Sequence, residues 1–192
     1  MNGKAMAIKQ HDLQVSMRHT QEIDSVAIAE AIDCMAQAIV RKHRQTTLLS
    51  VVGIANGGIA LGKWLARELI RDGLPPVPYG TVDILFHRDD LRHKPIPKIT
   101  FPTDLPFDIE GATIILADDV LFTGRTVRAA INEIFDQGRP HSIELAVLFD
   151  RASHCLPFCP DYCGFCKLVP EDKTVYTRLD QDNPAMNNIH IQ

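Results

Sequence analysis

No apolar run in the 192 residues approaches the ~20 that a membrane-crossing helix needs, and the opening MNGKAMAIKQ lacks the apolar core of a secretory signal. These absences argue for a cytoplasmic protein without a membrane partner, whose five cysteines are reduced thiols. A surplus of positive charge is missing too. The formal net charge is -4, so the chain as a whole does not attract polyanions, and binding to nucleic acid would have to rest on a local basic patch. There is no internal repeat and no low-complexity tract. What is present, 45% hydrophobic and 23% charged residues, suits one globular domain with a substantial core over residues 1–192.

From Ile23 to Val40 apolar residues recur at three- and four-residue steps, which predicts an amphipathic helix capped by Asp24 or Ser25. TLLSVVGI (Thr47 to Ile54) is a β-branched, apolar run of the kind buried on both faces in a parallel sheet. ANGGIALGKWLARELIRDG turns and becomes a second helix that Gly73 can end, with Trp64 on its core face. A strand is expected from Tyr79 to Asp90, then a proline- and charge-rich loop over about residues 87–110. A strand at Thr113 to Ala117, a helix from Val127 to about Gln137, a strand at Ile143 to Phe149 and a final segment of short strands and turns complete the chain. Strands alternating with helices imply an α/β fold: a mostly parallel, twisted sheet flanked by helices, with a small late strand and loop segment.

In such sheets ligands bind beyond the carboxyl ends of the strands, and three predicted strands end in Gly57-Gly58, Arg88-Asp89-Asp90 and Asp118-Asp119. Adjacent acids repel each other and resist burial, so a strand end of this kind calls for a cation or a hydroxyl-rich ligand. After them, VLFTGRT must bend into a helix, and the backbone N–H groups of Thr123 to Thr126 then form an anion site at a helix N-terminus. Acids for vicinal hydroxyls beside amides and hydroxyls for a phosphate suit a sugar phosphate.

IILADDVLFTGRTVRAAI resembles the phosphoribosyl-diphosphate signature of type I phosphoribosyltransferases. VDILFHRDDL, FDIEGATIILADDVLFTGRTVRAAI, GRPHSIELAVLFDR and LPFCPDYCG follow, in order, the branch of pyrimidine-operon regulators that double as uracil phosphoribosyltransferases, so the likeness spans roughly Leu48 to Asp182. It implies that Asp118 and Asp119 hold the ribose hydroxyls, and that the run Val120, Leu121, Phe122, Thr123, Gly124, Arg125 and Thr126 holds the 5′-phosphate. It implies further that Ala55, Asn56, Gly57 and Gly58 meet the diphosphate, that Arg88 covers it from a mobile loop, and that Mg2+ assists. The base is expected under the late segment, about residues 150–182, around Asp161, Tyr162, Cys163 and Gly164, where backbone groups can read a pyrimidine's edge. The implied ligands are phosphoribosyl diphosphate, uracil and UMP, and the implied assembly is a homodimer or larger.

The chain departs from that family in three places. The turn after the first strand carries no cation, which leaves leaving-group stabilisation to Arg88, Lys63 or Mg2+ and makes a nucleotide sensor with weak turnover, or an enzyme for another base, the alternatives. The first helix presents Asp33, Cys34 and Gln37, and the late loops His154, Cys159 and Phe165, where RNA-binding members carry basic and polar groups; poor RNA binding is expected, because acids repel phosphates. Cys155, Cys159, Cys163 and Cys166 cluster beside His154, in a spacing that could hold Zn2+ or an iron–sulfur cluster, although small buried thiols are the plainer account. Plainer accounts exist elsewhere as well: helix packing for Gly57-Gly58, a charged loop tip for Arg88-Asp89-Asp90, and a surface charge for Arg139, a weaker phosphate candidate.

Overall fold

A computed structural model describes residues 22–84, 102–180 and 183–192. Five parallel strands form the main sheet in the order β3-β2-β4-β5-β6: β2 (Leu49–Ile54), β3 (Tyr79–Val82), β4 (Thr113–Leu121), β5 (Ser142–Asp150) and β6 (Tyr162–Cys166). The helices are α1 (Ser25–His43), α2 (Gly57–Arg71) and α3 (Arg125–Gln137). A second, antiparallel sheet of β1 (Glu22–Ile23), β8 (Asn188–Ile191) and β7 (Val175–Arg178) gathers both ends of the described chain.

The expected α/β architecture is present, and strand alternation explains its layers. Val51, Ile115 and Ala117 face one cluster with Ile28, Ile32, Ile39, Leu61 and Leu65 of α1 and α2; Val52, Ile54, Ile114 and Leu116 face the other, with Val127, Ala130 and Ile134 of α3. Trp64 is 6% exposed and donates its indole N–H to Glu68, so its core placement holds. Asp24 caps α1 by accepting from the Ala27 N–H at 2.9 Å, as its position predicts.

One boundary differs in a way that matters. The third expected strand ends at Ala117 by composition, but β4 continues to Leu121, because β5 runs beside it and pairs Asp118 with Val147, Val120 with Phe149 and Leu121 with Asp150. β2 stops pairing at Gly53 opposite Ala117. From Asp118 onward, then, β4 has a strand neighbour on one side only. The chain leaves β2 toward β3 on one flank and returns through β4 on the other, so the gap beyond Gly53 and Ala117 is the topological switch point of the sheet.

Candidate active site

The walls of the crevice at this switch point come from three segments. On the β2 side, Ala55 and Asn56, joined by a cis peptide bond, lead into α2. Gly57 and Gly58 start that helix, and both are required by proximity. A Cβ on Gly58 would lie 2.1 Å from the Ala117 carbonyl oxygen, and one on Gly57 would lie 2.2 Å from an Asp119 carboxylate oxygen. Helix packing therefore accounts for these glycines directly, and it does so by bringing the first turn of α2 onto the acid pair.

On β4 the acids occupy different surroundings. Asp118 is 5% exposed, and its Oδ1 accepts the Asp119 backbone N–H at 3.0 Å. Burial, reinforced by the neighbouring Asp119 carboxylate, raises its pKa well above the usual carboxylate range, and the single backbone N–H opposes this only in part. Asp119 is half-buried, lies against Gly57, and accepts a hydrogen bond from the hydroxyl of Thr177 on β7.

Beyond β4 the turn closes as expected. Gly124 precedes α3 with φ 85°, and a Cβ there would meet Phe158 at 2.8 Å, so only glycine fits both the backbone and the space. The loop after β5 braces this turn: the Cys155 and Leu156 N–H groups donate to the Thr123 carbonyl at 3.2 and 3.0 Å, and the Arg151 N–H donates to the Leu121 carbonyl at 2.9 Å. The Arg151 side chain lies 3.7 Å above the centre of the Phe122 ring. Arg151 is 5% exposed and its Nη2 donates to the Pro170 carbonyl, but its Nε has no hydrogen-bond partner among the described residues. A buried cation stacked on the turn after β4 was not anticipated; the only trace in sequence is an arginine directly after the apolar strand LAVLFD.

The residues anticipated around the base lie on or beside β6, the edge strand next to β5. Tyr162 pairs with Ala146 in register, level with Ala117, and its hydroxyl donates to Glu144 at 2.6 Å, so its side chain is engaged with Glu144. Burial, then Glu144, drives its pKa upward. Asp161 accepts the Leu145 N–H just before β6 begins. Gly164 is a packing position, where a Cβ would lie 2.7 Å from the Leu148 carbonyl oxygen. The Cys163 thiol donates to the Phe165 carbonyl, and burial pushes its pKa up to about 12.

Phe165 is 9% exposed and belongs to the core, which removes it from any RNA-facing surface. Arg139 is exposed and caps the far end of α3, donating to the Phe135 and Gly138 carbonyls at 2.5 and 3.1 Å; the surface-charge account fits it. The four clustered cysteines are free thiols, and among the described residues no group of three or more His, Cys, Asp or Glu is placed to hold a metal ion. Arg88, Asp89 and Asp90 lie outside the described residues, as do His87 and His93. No described helix is long and apolar enough to cross a membrane.

Residues 19–162 match the phosphoribosyl transferase domain family. A protein of Geobacter sp. (strain M21) named "Bifunctional protein PyrR" is 40% identical over 169 residues, covering 86% of this chain and 93% of its own. One of the same name from Ralstonia nicotianae is 47% identical over 136 residues, covering 71% of this chain and 75% of its own. Among solved structures, the hypoxanthine phosphoribosyltransferase of Trypanosoma cruzi has a TM-score of 0.64 at 19% identity over 88% of this chain and 93% of that one, a likeness of fold.

Proposed function

The chain belongs to the phosphoribosyltransferase family, and from that premise we propose that it transfers the phosphoribosyl group of phosphoribosyl diphosphate to uracil, giving UMP and diphosphate. The observation that carries this proposal is the acid pair at the switch point, one member buried with only part of its hydrogen-bonding need met, directly before a glycine-dependent helix N-terminus. Asp118 and Asp119 supply acceptors for ribose hydroxyls, and the amides and hydroxyls of Thr123 to Thr126 supply donors for the 5′-phosphate. A ring nitrogen of the base forms a bond to C1 as the bond from C1 to the diphosphate breaks, and the protein contributes positioning and charge stabilisation without a nucleophilic side chain. The buried guanidinium of Arg151, stacked on Phe122, stiffens the phosphate turn and adds positive potential behind it.

Two carboxylates with no third protein ligand among the described residues suit Mg2+, which is usually held by one or two carboxylates together with substrate phosphates. Asp118 and Asp119 would hold it, and when bound it neutralises charge gathering on the diphosphate. The likeness to the pyrimidine-operon regulators supports uracil as the base. The same proposal has a single cytoplasmic domain over residues 1–192 working as a homodimer or larger assembly.

A second reading, a nucleotide sensor with little turnover, draws on the turn Ala55-Asn56-Gly57-Gly58, which carries no cation and whose Asn56 side chain does not cap α2. Diphosphate release with uracil, hypoxanthine, guanine and orotate, using the Asp118→Asn, Asp119→Asn double variant as the blank, separates these readings. Uracil-dependent release that disappears in the blank supports the enzyme; no release with any base, while UMP still binds, supports the sensor. Poor binding of pyrimidine-leader RNA belongs to either reading, since Asp33 and Gln37 bond to each other on α1 and Asp33 also pairs with Arg71. Sub-micromolar affinity at physiological salt would overturn that part.

A further inference from the structure

β7 reads Val175, Tyr176, Thr177, Arg178, with alternate residues half-buried and exposed. Val175 and Leu179 pack against the large core cluster, so the inward stripe of this strand is apolar on either side of Thr177. Valine has the same shape as threonine and would suit such a stripe equally well. The difference is one hydroxyl, and that hydroxyl donates to Asp119 Oδ2, a carboxylate on another sheet. The strand that delivers it is firmly seated: Thr177 is paired in register with Ile189, which is fully buried and also paired with Ile23. Against the same carboxylate lies Gly57, where even a methyl group would lie 2.2 Å from Oδ1. Asp119 thus meets both a backbone that cannot carry a side chain and a hydroxyl fixed by the small sheet.

We propose that Thr177 is a positioning residue: its hydroxyl holds the Asp119 carboxylate against Gly57 and presets it to receive sugar hydroxyls. This rests on the crevice being a phosphoribosyl site. An ionised carboxylate has about four acceptor positions, so one bond from Thr177 leaves room for ligand hydroxyls. The bond also links the small sheet to the crevice, so that a shift of β7 is felt at the ribose.

The test is calorimetric binding of phosphoribosyl diphosphate with Mg2+ to the full chain, wild type against Thr177→Val and Thr177→Ser, with steady-state kinetics and thermal unfolding beside it. Thr177→Val keeps the shape and is expected to weaken binding about tenfold, the loss typical of one hydrogen bond to a charged group. Thr177→Ser is expected to stay within about twofold of wild type. In Thr177→Val the loss falls on KM more than on kcat. A merely structural role for Thr177 would lower thermal stability without that split between KM and kcat. Equal affinity for phosphoribosyl diphosphate in Thr177→Val would overturn the proposal and leave the site reading intact. Failure of the wild type to bind phosphoribosyl diphosphate at all would overturn both.

Discussion

At the carboxyl edge of the main sheet Asp118 is 5% exposed beside a second carboxylate, with one backbone N–H on its Oδ1. At the amino edge the Glu144 side chain is 12% exposed, yet it receives Lys42 at 2.8 Å, His43 at 3.0 Å and the Tyr162 hydroxyl at 2.6 Å. His43 is itself satisfied at its other nitrogen, 3.0 Å from the Thr46 hydroxyl. A hollow of about 420 Å3 opens there, lined by Lys42, Thr46, Thr113, His141, Ser142 and Glu144. Burial alone would raise both acids. At Glu144 the hydrogen bonds from Lys42, Tyr162 and His43 outweigh it and hold the pKa below the usual range, whereas at Asp118 burial and the Asp119 charge prevail. Titratable groups that a fold satisfies serve its stability, and groups it leaves under-satisfied in a crevice mark where a ligand completes them. The two edges of one sheet show both cases.

The largest expected separation between the edges is in activity. Asp118→Asn with Asp119→Asn is expected to lower diphosphate release about a thousandfold, as for loss of preorganised groups at a reacting centre, while Glu144→Gln stays within about twofold of wild type. Comparable losses in the two variants would erase the distinction.

The glycines sharpen it. Gly58→Ala places a methyl 2.1 Å from the immovable Ala117 carbonyl oxygen and is expected to cost about 3 kcal/mol in urea unfolding. Gly57→Ala meets the Asp119 side chain instead, which can turn away, so its cost should appear more in the KM for phosphoribosyl diphosphate than in unfolding. Equal losses of stability in both variants would contradict this division between the two glycines.

Smaller and opposite effects follow from the carboxyls singly. Glu144 has a lowered pKa in the folded state, so its stabilisation is present above the unfolded value of 4.5 and is lost as pH falls through the folded value. Glu144→Gln should therefore cost about 2 kcal/mol at neutral pH and progressively less in acid. Asp118 has a raised pKa, so the native state loses stability as pH climbs from the unfolded value of 3.8 through the folded one. Asp118→Asn should accordingly gain about 1 kcal/mol at neutral pH, in the manner of other substitutions that relieve a strained functional site.

Much of this was legible in the sequence, for physical reasons that differ by element. Apolar, β-branched runs such as LSVVGI and TIILA can be buried only in a covered parallel sheet, so the α/β class follows from them. Glycine and acids in fixed order, Asp118-Asp119 before Gly124, mark the crevice because few backbones tolerate that order without a ligand. Contacts between distant segments were not legible. The end of β4 at Leu121 depends on how far β5 runs beside it, and nothing in ADDVL itself states this. Tyr162 is expected near the base from the family resemblance; its backbone pairs with Ala146, level with Ala117, while its hydroxyl is drawn to Glu144, a contact 18 residues away that the sequence does not state. Thr177 left one faint sign, a hydroxyl within the otherwise apolar alternation of Val175 and Leu179.

The most direct measurement is urea unfolding of wild type, Asp118→Asn and Glu144→Gln from mildly acidic to neutral pH. The account predicts that, relative to wild type, Asp118→Asn becomes more stable and Glu144→Gln less stable as pH rises, so the two difference curves diverge from near zero in acid. Asp118→Asn destabilising the fold across the whole range would contradict it, because Asp118 would then be one more satisfied structural acid.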